Sequence, residues 1–295
     1  MNRIPAPVLF IVSGVTQYVG AGFAVGLFDV APAASVAWAR ILVAALVLLA
    51  WARPWRVRWD RRRLLAAVAF GTVLAAMNVT FYASLQHLPL GTAVAIEFVG
   101  PVLVAALTGR GVRERAAIAL ALAGVVLLAG VTLASPSDDA ALGLVLILAA
   151  AACWALYILL GRKVSAQGTG LAPLALAMAA GAIVSAPFTA AGAVPLVTDW
   201  AFLGAIVAIA LASSVVPYAI DQVVLRRLSA AQFAILLAIW PATAVAVGAV
   251  VLRQIPSGWE VVGLVCVSVA IALTSRPAPA VPPGSRRRRP STPAP

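Results

Sequence analysis

The sequence predicts an all-α polytopic membrane protein, with ten transmembrane helices arranged as two inverted five-helix repeats. Three observations predict it. Hydrophobic residues fill 63% of the 295 positions and charged residues only 10%, against about 45–50% and about 25% in a soluble domain. Ten apolar runs, each near the roughly 20 residues that cross a bilayer core, follow one another with short polar breaks. The basic residues gather on every second break.

The runs are 7–28, 31–51, 64–85, 89–108, 116–134, 140–161, 171–192, 200–225, 229–252 and 259–275. The first is longer than the apolar core of about 7–15 residues in a signal peptide, so it is read as an uncleaved membrane helix. The breaks carry turn or charge signals: Asp29 with Pro32, His87 with Pro89, SPSDD at 135–139 and IPSG at 255–258. Beyond residue 275 the chain is proline-rich and then polybasic, with four arginines at 286–289. That composition is expected to be disordered. The expected division is therefore 1–134, 140–275 and a cytoplasmic tail, 276–295.

An even number of spans puts both termini on one side. With the N-terminus in the cytoplasm, 19 of the 21 basic residues lie on cytoplasmic segments. Only Arg253 falls outside, and Arg40 falls within a helix. Asp29, Asp138, Asp139, Asp199 and Glu260 fall on the outer side. This is the positive-inside pattern, and losing one span would scramble it. The net charge of +12 therefore marks a membrane face and not a nucleic-acid partner. The tryptophans Trp51, Trp55, Trp59, Trp200 and Trp259 fall at expected interfaces, as an aromatic belt does.

Within this frame one segment is out of place. Residues 91–108 form an apolar run with one carboxylate, Glu97, and a proline, Pro101, four residues on. A carboxylate at membrane depth is costly and marks a functional site by default. Pro101 has a counterpart in Pro241, at an offset of 140. The same offset pairs Leu88 with Leu228, Ala106 with Ala246 and Arg113 with Arg253. Five helices per half is an odd number, so the second half is inverted relative to the first. Inverted repeats with interrupted helices at matching positions are the pattern of secondary transporters, whose site lies near the midplane.

Other classes lack their signatures. Cys153 and Cys266 lie inside apolar runs and His87 is the single histidine, so no metal site or cofactor is expected. The chain has no phosphate-binding Gly-x-x-x-x-Gly-Lys and no His-Glu-x-x-His. Without a nucleophile–base pair an intramembrane enzyme is not expected, and no ring of like charge suggests a channel.

The sequence resembles the drug/metabolite transporter superfamily, in its ten-helix EamA-type members, and is most similar to bacterial amino-acid exporters. The resemblance rests on ARILVAALVLL at 39–49 and above all on FYASLQHLPLGTAVAIEFVGPVLVA at 81–105, with PYAID at 217–221 and LRRL at 225–228. It implies a proton-linked exporter of threonine- or homoserine-like amino acids or related small metabolites in the plasma membrane. Its partners would be the bilayer, a small-molecule substrate and a proton gradient. Three departures stand out: Trp240 and Asp221 where such exporters tend to have glutamate, and Arg253–Gln254 in place of a Gly–Glu pair.

Each candidate residue has a functional and a structural reading. Glu97 is about eight residues, or roughly 12 Å, into its helix, near the middle of a core of about 30 Å. It either binds a substrate ammonium or a proton, or is a structural carboxylate. Arg40 sits at similar depth on helix two, as an ion-pair partner of Glu97, a holder of a substrate carboxylate or a structural cation. Asn78 and Tyr82 share one face of helix three, Ser13 and Gln17 one face of helix one, and Trp154 and Tyr157 lie three apart on helix six. Each pair either lines a polar cavity or packs. Ser214, Tyr218, Asp221 and Gln222 form a polar stripe after Pro217, read as a gate, a proton relay or an interfacial charge. Gln232 and Trp240 share a face of helix nine, where Trp240 stacks on substrate or plugs the cavity. Pro101 and Pro241 serve as breaks. His87 is expected to be a solvated loop histidine.

Overall fold

The structure, a computed structural model, describes residues 6–108, 112–134, 139–165, 171–217, 220 and 239–274. Among the described residues every regular element is helical. Helix α1 (Ala6–Val25) is followed by α2 (Ala33–Ala52), which starts behind Pro32 and stops at Arg53 in the left-handed region, φ 46°. Helix α3 (Arg61–Ser84) is capped by Asp60, whose carboxylate accepts from the Arg63 N–H at 2.7 Å.

The apolar run at 89–108 is not one helix. It divides into α4 (Leu90–Glu97) and α5 (Val99–Thr108), with Phe98 as the joint. Pro101 has no N–H to give the carbonyl four residues back, and that carbonyl is Glu97's own. The ladder resumes around the gap, Phe98 N–H to Val94 at 3.2 Å and Val102 N–H to Phe98 at 3.2 Å.

Helices α6 (Val112–Ala134), α7 (Ala140–Ser165) and α8 (Ala172–Thr189) follow. The seventh run ends three residues earlier than expected. A short α9 (Val194–Thr198) then leads through a 107° bend into α10 (Trp200–Ala210). Asp199 caps α10, accepting from Ala201 N–H at 2.7 Å. A π-helical turn, Leu211–Val215, continues α10. Helix α11 (Trp240–Val251) has Pro241 in its first turn, where a missing N–H costs nothing, and α12 (Gly258–Thr274) completes the described chain.

Helix thus occupies the described part of each of the ten apolar runs. Five of these helices are long and apolar enough to cross a membrane singly, or six if the pair bent at Asp199 is one span. Helices α1, α4–α5, α11 and α12 are shorter apolar helices. The expected tail, and the junction of the eighth and ninth runs at 221–238, lie outside the described residues.

Packing is dominated by α6 on α12, α3 on α7 and α8, and α2 on α8. The α3–α8 seam depends on glycine. A Cβ on Gly71 would collide with the Ala177 carbonyl, and one on Gly181 would collide with the Gly71 carbonyl. Small residues of this kind let membrane helices touch backbone to backbone. Gly71→Ala is therefore expected to destabilise the protein by about 1–3 kcal/mol, the usual cost of overpacking. That outweighs the gain of about 1 kcal/mol in helix propensity, because the obstacle is backbone. A lowered thermal midpoint in detergent checks it. On the other side α8 is tied to α2 by Trp38 Nε1, which donates to the Ala182 carbonyl at 2.8 Å.

Trp51, Trp55, Trp200 and Trp259 are all exposed, as belt tryptophans are. His87 departs from expectation. Its side chain is only 18% exposed and its Nδ1 lies 4.0 Å from Asp139 Oδ2, because the turn before α4 packs onto the start of α7.

Candidate functional site

Two clusters meet at Glu97. The first is polar and centres on Arg40 of α2, which is 6% exposed. Its Nη1 donates to the Ser213 Oγ at 3.2 Å and to the Ser213 carbonyl at 3.5 Å. Its Nη2 donates to Asn78 Oδ1. The guanidinium carbon stands 4.6 Å over the Tyr82 ring, within cation–π range. Arg40 Nε is buried with no hydrogen-bond partner among the described residues.

Each acceptor is held in place by its own helix. Asn78 Nδ2 donates to the Leu74 carbonyl at 2.8 Å, which fixes the amide with its oxygen toward Arg40. Ser213 Oγ donates to the Ile209 carbonyl at 2.7 Å and keeps its lone pairs for the guanidinium. The π turn carries Ser213 to this position. In such a turn the backbone bond runs from i to i−5, and here Val216 N–H reaches Leu211. π-bulges of this sort are frequent at functional sites.

The second cluster is aromatic. Tyr18 of α1 meets Trp240 of α11 edge to face at 5.9 Å. Trp240 meets Phe98 at 6.3 Å, and Phe98 meets Trp154 of α7 at 4.7 Å. Glu97 lies between the clusters, in the electrostatic reach of Arg40 on one side and of Tyr18 and Cys153 on the other. It keeps 9% of its surface while Ile96 and Phe98 beside it keep none. Among the described residues no ion pair joins it to Arg40. A buried arginine and a buried carboxyl group thus lie within electrostatic reach of each other with no ion pair between them.

The structure therefore brings together Glu97, Arg40, Asn78, Tyr82, Trp154 and Trp240. Arg40, carried by α2, belongs to this group. Trp154 and Tyr157 part company: Tyr157 stacks on Phe70 at 4.7 Å in a separate cluster with Ala177. Gln17 is half-buried on α1, one turn past the fully buried Ser13. Pro101 and Pro241 lie just after the Phe98 joint and at the start of α11. Tyr218, Asp221, Gln222 and Gln232 lie outside the described residues.

Sequence reasoning missed Ser213, Tyr18 and Phe98. Ser213 adjoins the polar stripe read at Ser214, but the π turn shifts the facing by one residue. Phe98 carried a usable signal: it adjoins the buried carboxylate and stands three residues before the proline. The start of α4 is also tied to the segment around α12. Gln254 Oε1 accepts from the Leu90 N–H at 2.9 Å, and Thr92 donates to Glu260 at 3.0 Å.

A multi-pass bundle with buried opposite charges at a proline-broken helix defines the class. The chain belongs to the EamA-like transporter family, whose model matches residues 141–276. Among individual proteins, it is similar to the threonine/homoserine exporter RhtA of Salmonella typhimurium strain LT2, with 33% identity over 272 residues, covering 92% of this chain and 91% of that one. The exporter of the same name from Escherichia coli K12 is 33% identical over 235 residues, covering 80% of this chain and 79% of that one. A crystal structure of a protein 17% identical covers 92% of this chain and 96% of its own, with a TM-score of 0.58. That last likeness is one of fold.

Proposed function

We propose that this protein is a proton-linked exporter of small zwitterionic amino acids of the threonine and homoserine type. It would work in the inner membrane, with both termini cytoplasmic, by alternating access between two inverted five-helix halves, 1–134 and 140–275.

One observation carries the reading of the site. Arg40 and Glu97 are buried ionisable groups of opposite type, within electrostatic reach and with no ion pair between them. An unpaired charge in a bilayer core costs several kcal/mol. A zwitterion relieves both at once, its carboxylate on the Arg40 fork and its ammonium on Glu97. Tyr82, Asn78 and Ser213 hold the fork, and a guanidinium suits a carboxylate because its donors match two oxygens. A proton on Glu97 would neutralise it in the empty carrier, giving the coupling ion a place.

The packing pattern supports two inverted halves. In that reading runs one to five pair with six to ten. Run five packs on run ten (α6 on α12), two on seven (α2 on α8) and four on nine (α4 on α11). The contact of α1 with α11 has its counterpart in that of α7 with α4 and α5. The relatives' names support the substrate class, and the cytoplasmic arginines support the orientation.

The experiment is counterflow in proteoliposomes holding the full-length protein. Unlabelled homoserine inside is expected to drive uptake of labelled homoserine, and an imposed pH gradient to drive net movement. Homoserine lacking its carboxylate charge, as the amide, is expected to be ineffective. Equal counterflow with the amide would refute the zwitterion site.

A further inference from the structure

Four rings, from α1, α11, the α4–α5 joint and α7, form a continuous edge-to-face seam beside Glu97: Tyr18, Trp240, Phe98 and Trp154 in turn. The spacings fall in the range such pairs prefer, roughly 4.5–7 Å. Phe98 has no exposed surface and Trp240 keeps 6%. The seam belongs to runs one, nine, four and six. In the inverted-repeat reading one pairs with six and four with nine, so the central Phe98–Trp240 contact lies where the halves meet.

The seam is asymmetric in bulk. The offset of 140 that pairs Pro101 with Pro241 sets Trp240 against Gly100. At Gly100 the first half has no side chain, and α5 lies directly on α7: a Cβ there would collide with the Ala151 carbonyl. At Trp240 the second half has an indole. The place for that indole is cleared by Gly14 of α1, where a Cβ would come within 3.0 Å of Trp240 Nε1 and 3.1 Å of Cδ1. The indole therefore takes up space beside Phe98 that the first half leaves to backbone.

We propose that Trp240 and Phe98 are the size filter of the transport site, and that their contact limits the exported amino acid to a short side chain. This rests on the exporter reading above. A substrate ammonium at Glu97 places the α-carbon beside Phe98, the next residue. Its side chain then points along the seam, where parting the two rings makes room. A side chain of two or three heavy atoms fits without parting them, and a longer aliphatic one such as leucine's, or an aromatic one, does not. Trp240 and Phe98 act here by exclusion and supply no charge or hydrogen bond to the substrate.

The test compares counterflow of labelled homoserine and labelled leucine by the full-length protein in proteoliposomes. The wild type is expected to favour homoserine strongly. Trp240→Ala is expected to raise the leucine-to-homoserine ratio by about tenfold or more, since one methylene of fit is worth about 10–200-fold. Trp240→Phe, which keeps a ring in the seam, is expected to hold the ratio within about threefold of wild type on the same scale. Phe98→Leu keeps an apolar side chain at the joint and serves as the second opening variant if Trp240→Ala does not fold. It too is expected to raise the ratio. A wild-type ratio in an opening variant that still carries homoserine overturns the filter. Wild-type protein that carries neither compound overturns the exporter reading itself, and the filter with it.

Discussion

Glu97→Gln is expected to lower homoserine counterflow by about a hundredfold while leaving the protein folded. The substitution keeps size and shape and removes the charge. A hydrogen bond to a charged group is worth about 1.5–3 kcal/mol, so losing it at the substrate ammonium accounts for a drop of this order. The thermal midpoint is expected to hold or rise, because Glu97 makes no ion pair among the described residues. Neutralising an uncompensated buried charge removes a penalty and breaks no contact. The same variant is expected to lose its response to an imposed pH gradient if Glu97 carries the coupled proton. Counterflow at the wild-type rate would remove Glu97 from the site.

Arg40→Ala is expected to fail on both counts. Arg40 joins three elements: α2, which carries it, α3 through Asn78 and Tyr82, and the π turn through Ser213. Removing it strands the buried Ser213 and the half-buried Asn78 and leaves a void over the Tyr82 ring. Breaking a buried charged network by deleting one partner costs about 3–5 kcal/mol, a large share of the 5–15 kcal/mol that holds a typical domain. Arg40→Lys separates the two roles. Lysine keeps the charge but is a point donor on a flexible stem. It has no planar fork to serve Asn78 and Ser213 together. The Lys variant is expected to fold, with a midpoint between wild type and Ala, and to export at about a tenth of the wild-type rate, the equivalent of about 1.4 kcal/mol. Wild-type export by the Ala variant would show Arg40 to be dispensable to transport.

Much of the molecule was legible in the sequence because the bilayer imposes simple demands. Length and apolarity select the spans, and each described span follows its apolar run to within a few residues. Glu97 stood out for the same reason: a single carboxylate at membrane depth is too costly to be incidental. Pro101 also foretold a weakness in its helix, though not the full division at Phe98, which follows from the loss of a donor for the Glu97 carbonyl.

The facing of the helices was not legible. A helix in lipid is apolar on every side, so its inner face leaves no stripe to read. Trp154 and Tyr157, three residues apart, accordingly pack in different clusters, one against Phe98 and the other against Phe70. Ser213 was hidden for another reason: a π turn breaks the 3.6-residue period on which any reading of stripes depends.

By itself the sequence determined the solvent in which this protein folds, its helical class and the one carboxylate that stands out within its apolar runs. These follow from composition and from the cost of charge in hydrocarbon, which are properties of the residues alone. The tertiary structure decided what that carboxylate faces. Arg40 reaches Asn78 and Ser213 and not Glu97, and Phe98 and Trp240 meet beside it. Such contacts join residues from 38 to 173 positions apart along the chain. They are set by which glycines let helices close together and where prolines and a π turn rotate them, and none of this shows in the apolar pattern of a single span.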